Sequence, residues 1–166
     1  MTGSLTAGRP SMQAVSAPSE RKPAVMALEQ QFGLLFSQAR ARVRDQAVRV
    51  HPDLSPASYN VLATLVRCGP QHAGSLAAML YTDKSTISRI VKQLTELDLV
   101  ERRPDPTDGR ACFLAATEDA TSRVDAVRDG QRRQLREFLD GWDVADIQQL
   151  TALLGRLNGD EGALRD

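Results

Sequence analysis

Apolar residues recur along most of the chain at steps of three and four, the spacing that lines side chains along one face of an α-helix. The stretch 83–97, DKSTISRIVKQLTEL, carries this period most cleanly, with Ile87, Ile90, Val91, Leu94 and Leu97 on a single stripe. Its other face is equally ordered: Ser85, Ser88, Arg89 and Lys92 align short hydroxyls with long cations. Such a face suits a DNA major groove, because serine lets a helix approach closely and arginine can fork onto guanine O6 and N7. A solvated helix surface would account for the same residues, so the flanking segments decide.

Residues 1–25 are rich in Ser, Ala, Pro and Gly without an apolar period and read as a flexible tail. From Met26 a long helix is expected, with Leu28, Phe32, Leu35, Phe36, Ala39, Val43, Ala47 and Val50 in period until Pro52 ends it. Ser55 and Pro56 restart the chain as a serine cap followed by proline at the first helical position. The helix over 55–67 turns Tyr59, Leu62, Leu65 and Val66 inward, and Cys68, Gly69 and Pro70 stop it. A short helix over 74–80 follows, separated from residue 83 only by Tyr81 and Thr82, which makes a helix-turn-helix.

Beyond Leu97 the period changes. Residues 99–103 read as a strand, 104–109 as a turn-rich loop and 110–116 as a returning strand. A hairpin at this place completes a winged helix. Its tip can lay Arg110 into a narrow A·T-rich minor groove, where negative potential concentrates, with Asp108 placed to hold the guanidinium. In an ordinary surface turn the two would only neutralise each other. Two closing helices carry Val124, Val127, Leu135, Phe138 and Leu139, then Val144, Ile147, Leu150, Leu153, Leu154 and Leu157; Gly130 is expected to mark a close helix approach. The winged helix-turn-helix lobe at 55–117 is too small to cover these stripes. A two-fold dimer burying 26–51 and 118–158 is expected, with an intramolecular bundle as the alternative.

Composition narrows the function. A chain of 166 residues, 42% of them hydrophobic, supports one folded domain over 26–166, mainly α with a small β-wing. The 21 basic and 21 acidic residues cancel, which speaks against coating nucleic acid or membrane by bulk charge. Six basic residues also meet six acidic ones across 83–110. The DNA reading therefore rests on placement, and a winged-helix dimer that binds a protein partner stays as its rival. The two distant cysteines, Cys68 and Cys112, form neither a disulfide framework nor a metal cluster, read as small core residues, and fit a reducing cytoplasm. Only His51 and His72 are available as histidine ligands, and no nucleophile-base signature, phosphate-binding glycine loop or cofactor motif marks an enzyme. No apolar run is long enough to span a bilayer, and the N-terminus lacks a signal-peptide core.

In its order of elements, and most specifically in DKSTISRIVKQL followed by LVERRPDPTDGR, the chain resembles the MarR family of bacterial transcription regulators over about 28–157. The resemblance implies a winged-helix homodimer that represses transcription by covering a pseudo-palindromic operator in double-stranded DNA. Carried over residue by residue, it places groove contacts on Lys84, Ser85, Thr86, Ser88, Arg89 and Lys92, and the wing pair on Asp108 and Arg110. It implies no cofactor but a small-molecule effector, phenolic or otherwise lipophilic, bound between the dimerisation helices and the DNA-binding lobe. His51 and Tyr59 are the candidate lining residues. The chain departs from the family at Asp98, where glycine is common, and at the wing exit, Ala116, Thr117 and Ala120.

Overall fold

The computed structural model describes residues 18–106 and 111–159. Among them the chain forms α1 (Pro18–Val50), α2 (Pro56–Cys68), α3 (Ala73–Met79), α4 (Lys84–Glu96), β1 (Val100–Pro104), β2 (Cys112–Ala116), α5 (Glu118–Leu139) and α6 (Val144–Leu157). Two compact units separate, one up to Arg42 and one from Val43 onward.

In the first unit, α1 begins at Pro18 and not at Met26, so 18–25 are helical where a tail was expected; residues 1–17 of that tail lie outside the described residues. Pro23 removes one intrahelical bond near the end where several donors already lack partners, and Glu20 in the first turn meets the positive end of the helix. The composition there resembles a linker even though a helix tolerates it. Phe32 and Phe36, one turn apart, stack with centroids 5.8 Å apart. Met26, Leu28, Leu34, Leu35 and Phe36 stay exposed.

In the second unit the core gathers around α2, α3 and α4. Leu62, Leu65, Leu76, Ile87, Val91, Leu94, Leu99, Val100 and Leu114 are buried, joined by Ala47 and Val50 from the last turns of α1 and by Ala120 and Val124 of α5. Each large aliphatic side chain so buried contributes roughly 1.5–3 kcal/mol. Ser55 caps α2 as expected, its Oγ accepting the Ser58 N–H at 3.0 Å. Gly69 ends α2 at φ +75°, ψ −169°, a conformation open to glycine.

Helices α3 and α4 both end in a Schellman arrangement. At α3 the N–H groups of Tyr81 and Thr82 donate back to Ala78 and Ala77, and at α4 those of Asp98 and Leu99 donate to Thr95 and Leu94. The residue in the left-handed position is Tyr81 (φ +49°) in one and Asp98 (φ +56°) in the other. Asp98 thus adopts the conformation that glycine usually supplies, and the Thr117 hydroxyl donates to its carbonyl. Thr117 also caps α5, accepting from the Ala120 N–H, so at the wing exit β2 passes directly into α5.

Strands β1 and β2 pair antiparallel from Val100 opposite Ala116 to Pro104 opposite Cys112. Gln71, ahead of α3, exchanges both backbone bonds with Leu114, at 3.0 and 2.9 Å. Gly130 does not mark a close backbone approach: a Cβ there would meet the Arg49 guanidinium at 3.7 Å. The later half of α5 exposes Leu135 and Phe138, and α6 buries no residue at all. Among the described residues no helix is long and apolar enough to cross a membrane.

Candidate nucleic-acid interface

Helix α4 owes its start to Asp83. One carboxylate oxygen accepts the Thr86 N–H at 2.8 Å and the Ser85 hydroxyl; the other accepts the Thr86 hydroxyl at 2.8 Å. These bonds, that from Ser85 foremost, hold the Asp83 carboxyl well below its ordinary value of 3.8. Ile87, Val91 and Leu94 point into the core, which leaves Lys84, Ser85, Ser88, Arg89 and Lys92 exposed and Thr86 half-buried. The structure thus puts all six expected helix contacts on or beside one open face.

That face is partly organised by itself. Arg89 Nη2 donates to Thr86 Oγ1 at 3.3 Å, so Asp83, Thr86 and Arg89 form a chain that aims the guanidinium along the helix. Lys92 Nζ lies 3.8 Å from Glu96 and is free to exchange that exposed partner for a phosphate. Lys84 lies over Gly74, whose Cβ position is 3.6 Å from Lys84 Cε.

Gln93 was not singled out by its sequence, because a glutamine on a helix flank resembles ordinary surface. It is the link between α4 and the start of α2. Its Oε1 accepts the Ser58 hydroxyl at 2.8 Å and its Nε2 donates to the Asp53 carbonyl at 3.1 Å. Ser58 is 1% exposed, and its buried hydroxyl lies 2.8 Å from that of Ser55 as well, so Gln93 completes a small polar network at the start of α2.

The wing is tied in at its root. His72 Nε2 lies 3.1 Å from the Asp105 carboxylate, His72 Nδ1 lies 3.1 Å from the Cys112 carbonyl, and the ring stacks on Phe113 at 4.1 Å. A histidine just ahead of a helix gives no such signal in the sequence. On β1, Arg103 pairs with Glu101 at 2.6 Å, while Arg102 Nη1 donates to Cys112 Sγ at 3.6 Å. Asp108 and Arg110, the expected wing pair, lie outside the described residues. The cysteines depart from the core reading: Cys68 is exposed at the last residue of α2, and Cys112 is half-buried beside Arg102.

The two candidate effector residues sit differently. Tyr59 is buried in the core, and burial raises its phenol above the ordinary value against the opposing pull of the Arg128 guanidinium. Arg128 Nη2 also donates to the Ala63 carbonyl at 2.7 Å. His51 lies half-buried in the turn between α1 and α2, where its Nδ1 accepts the Asp53 N–H at 3.2 Å. The described residues hold no group of three His, Cys, Asp or Glu side chains placed to bind a metal.

The sequence model of one protein family, described as the MarR family, matches residues 53–111. An HTH-type transcriptional regulator of Bacillus subtilis, YxaD, is 29% identical over 119 residues, covering 72% of this chain and 83% of its own. The HTH-type transcriptional repressor NicR of Pseudomonas putida is 30% identical over 114 residues, covering 68% and 71% respectively. Among solved structures, a MarR family protein from Bacillus stearothermophilus superposes with a TM-score of 0.72 at 20% identity, over 84% of this chain and 96% of its own.

Proposed function

The chain belongs to the MarR family of winged helix-turn-helix, DNA-binding transcriptional regulators, and we propose that it is a repressor acting as a homodimer on a pseudo-palindromic operator. The observation that carries the proposal is the open face of α4, where Lys84, Ser85, Ser88, Arg89 and Lys92 stand opposite a fully buried stripe. Arg89 reads a guanine, Ser85 and Ser88 permit close approach, and Lys84 and Lys92 bind flanking phosphates. The wing pair Asp108 and Arg110 is assigned to the minor groove on the sequence motif alone.

The dimer is supported by the uncovered apolar residues of α1, α5 and α6, which a second copy would bury. Two recognition helices then need half-sites about 10 base pairs apart, or a multiple of that. The relative named a repressor supports the sign of regulation. A lipophilic effector acting near the α1–α2 turn, with His51 and Tyr59 among its neighbours, extends the same reading.

Selection of bound sequences from a random duplex pool at two salt concentrations tests it. An inverted repeat with salt-sensitive affinity is the expected result, because neutralised phosphates release counterions. Arg89→Ala should then cost about 1–3 kcal/mol on that repeat and little on unrelated duplex. The balance of six acids against six bases across 83–110 favours a second reading, a protein partner for this face. Recovery of no sequence above background at either salt concentration would select it.

A further inference from the structure

Tyr81 is 98% exposed, and it lies in the turn between α3 and α4 with a left-handed backbone. A bulky residue in that conformation is strained, and the position it fills, just past a Schellman helix end, is one that glycine normally takes. Asp98 fills the matching position at the end of α4 with a short side chain that tolerates the conformation. Tyr81 has no such excuse. Among the described residues none hydrogen-bonds to its phenol, and its ring has no cover. Among the described residues neither the strain nor the exposed aromatic surface is offset.

The placement indicates where both are offset. Tyr81 stands two residues ahead of Asp83, the cap of α4, and a recognition helix meets the bases with its N-terminal end while phosphates flank that end. The apolar stripes expected to meet a second copy lie on α1, α5 and α6; within 55–117 the other exposed large apolar side chain is Met79, at 39%. A phenol carries one hydroxyl, suited to the oxygen that a nucleic-acid backbone repeats at every step, whereas base reading relies on paired donors such as those of Arg89.

We propose that Tyr81 is a DNA-contacting residue whose hydroxyl donates to a backbone phosphate at the edge of the α4 footprint, with its ring lying over the adjoining sugar. The inference rests on the DNA-binding reading of α4 and adds to it a contact that fixes register without reading sequence.

The test compares wild type, Tyr81→Phe and Tyr81→Gly on the duplex recovered by selection and on a duplex of unrelated sequence, together with thermal melting of each free protein. Tyr81→Phe should lose about tenfold in affinity on both duplexes, the worth of one hydrogen bond to a charged group, and Tyr81→Gly more, because it removes the ring as well. The slope of affinity against salt should not change, since tyrosine displaces no counterion. Tyr81→Gly should melt at or above the wild-type temperature, because it relieves the left-handed strain and removes no packed contact. Full affinity in the variants overturns the inference, and so does a lowered melting temperature that accounts for the loss. Wild type binding neither duplex overturns the DNA reading itself, and this contact with it.

Discussion

Helices α4 and α6 are nearly twins in sequence pattern and opposite in outcome. Both are short, both follow an aspartate and both carry an aliphatic stripe. Ile87, Val91 and Leu94 of α4 are sealed inside the lobe; Leu150, Leu153, Leu154 and Leu157 of α6 are open, the last 61% exposed. Their caps differ as well, since Asp83 accepts the Thr86 N–H whereas Asp143 makes no side-chain capping bond. An amphipathic period therefore announces that a face will be covered and says nothing about which chain covers it. In α4 the cover is the chain's own α2 and α3, and the proposed dimer gives α6 its cover from a second copy.

The comparison can be broken most forcefully at Leu94. Leu94→Ala should lower the unfolding free energy of the isolated protein by about 2–5 kcal/mol in urea titration, since it opens a cavity in a close-packed site. A loss below about 1 kcal/mol would mean that α4 is not the keystone its burial makes it. Leu153→Asp should leave the secondary structure in place yet weaken self-association by on the order of tenfold or more, read by sedimentation at several concentrations. Unchanged mass would end the assignment of α6 to the dimer. The smallest effects should separate the two caps: Asp83→Ala lowers the melting temperature more than Asp143→Ala does. Because its bonds hold the Asp83 carboxyl below the ordinary 3.8, the Asp83 contribution is intact above about pH 4 and fades as the pH falls further. The difference between wild type and Asp83→Ala should shrink on that acid side, and a difference independent of pH would place the cap's effect elsewhere.

Much of this was legible in advance. The helix-turn-helix and the hairpin follow from period, caps and turn residues, because each element there agrees with its neighbours on where the core lies. The exposure of Ser85, Ser88, Arg89 and Lys92 follows from the period, because burying Ile87, Val91 and Leu94 turns these positions outward, whereas Lys84 and Thr86 join them as candidate contacts only through the family resemblance. What escaped were features that depend on distant partners. Gln93 and His72 look like surface until the fold brings Ser58 and Asp105 to them, and nothing local to either residue carries that signal. The early start of α1 was hidden by Pro23 in a segment whose composition resembles a linker. The core reading of Cys68 rests on the general burial of cysteine and on a period that holds to the end of α2, yet as the final residue of that helix it is exposed. Tyr81 looked like a spacer, since two residues between helices give no hint that one of them is left-handed.

The exchange of backbone bonds between Gln71 and Leu114 has a mechanical consequence. Through it the two-stranded hairpin is bridged at one residue to the approach to α3, and His72 pins the same joint from the side. A strand cannot slip in such a hairpin by one residue without reversing every side chain from one face to the other. A pull on β2 is thereby passed on to the foot of α3, and the strand moves with α3 before it moves against it.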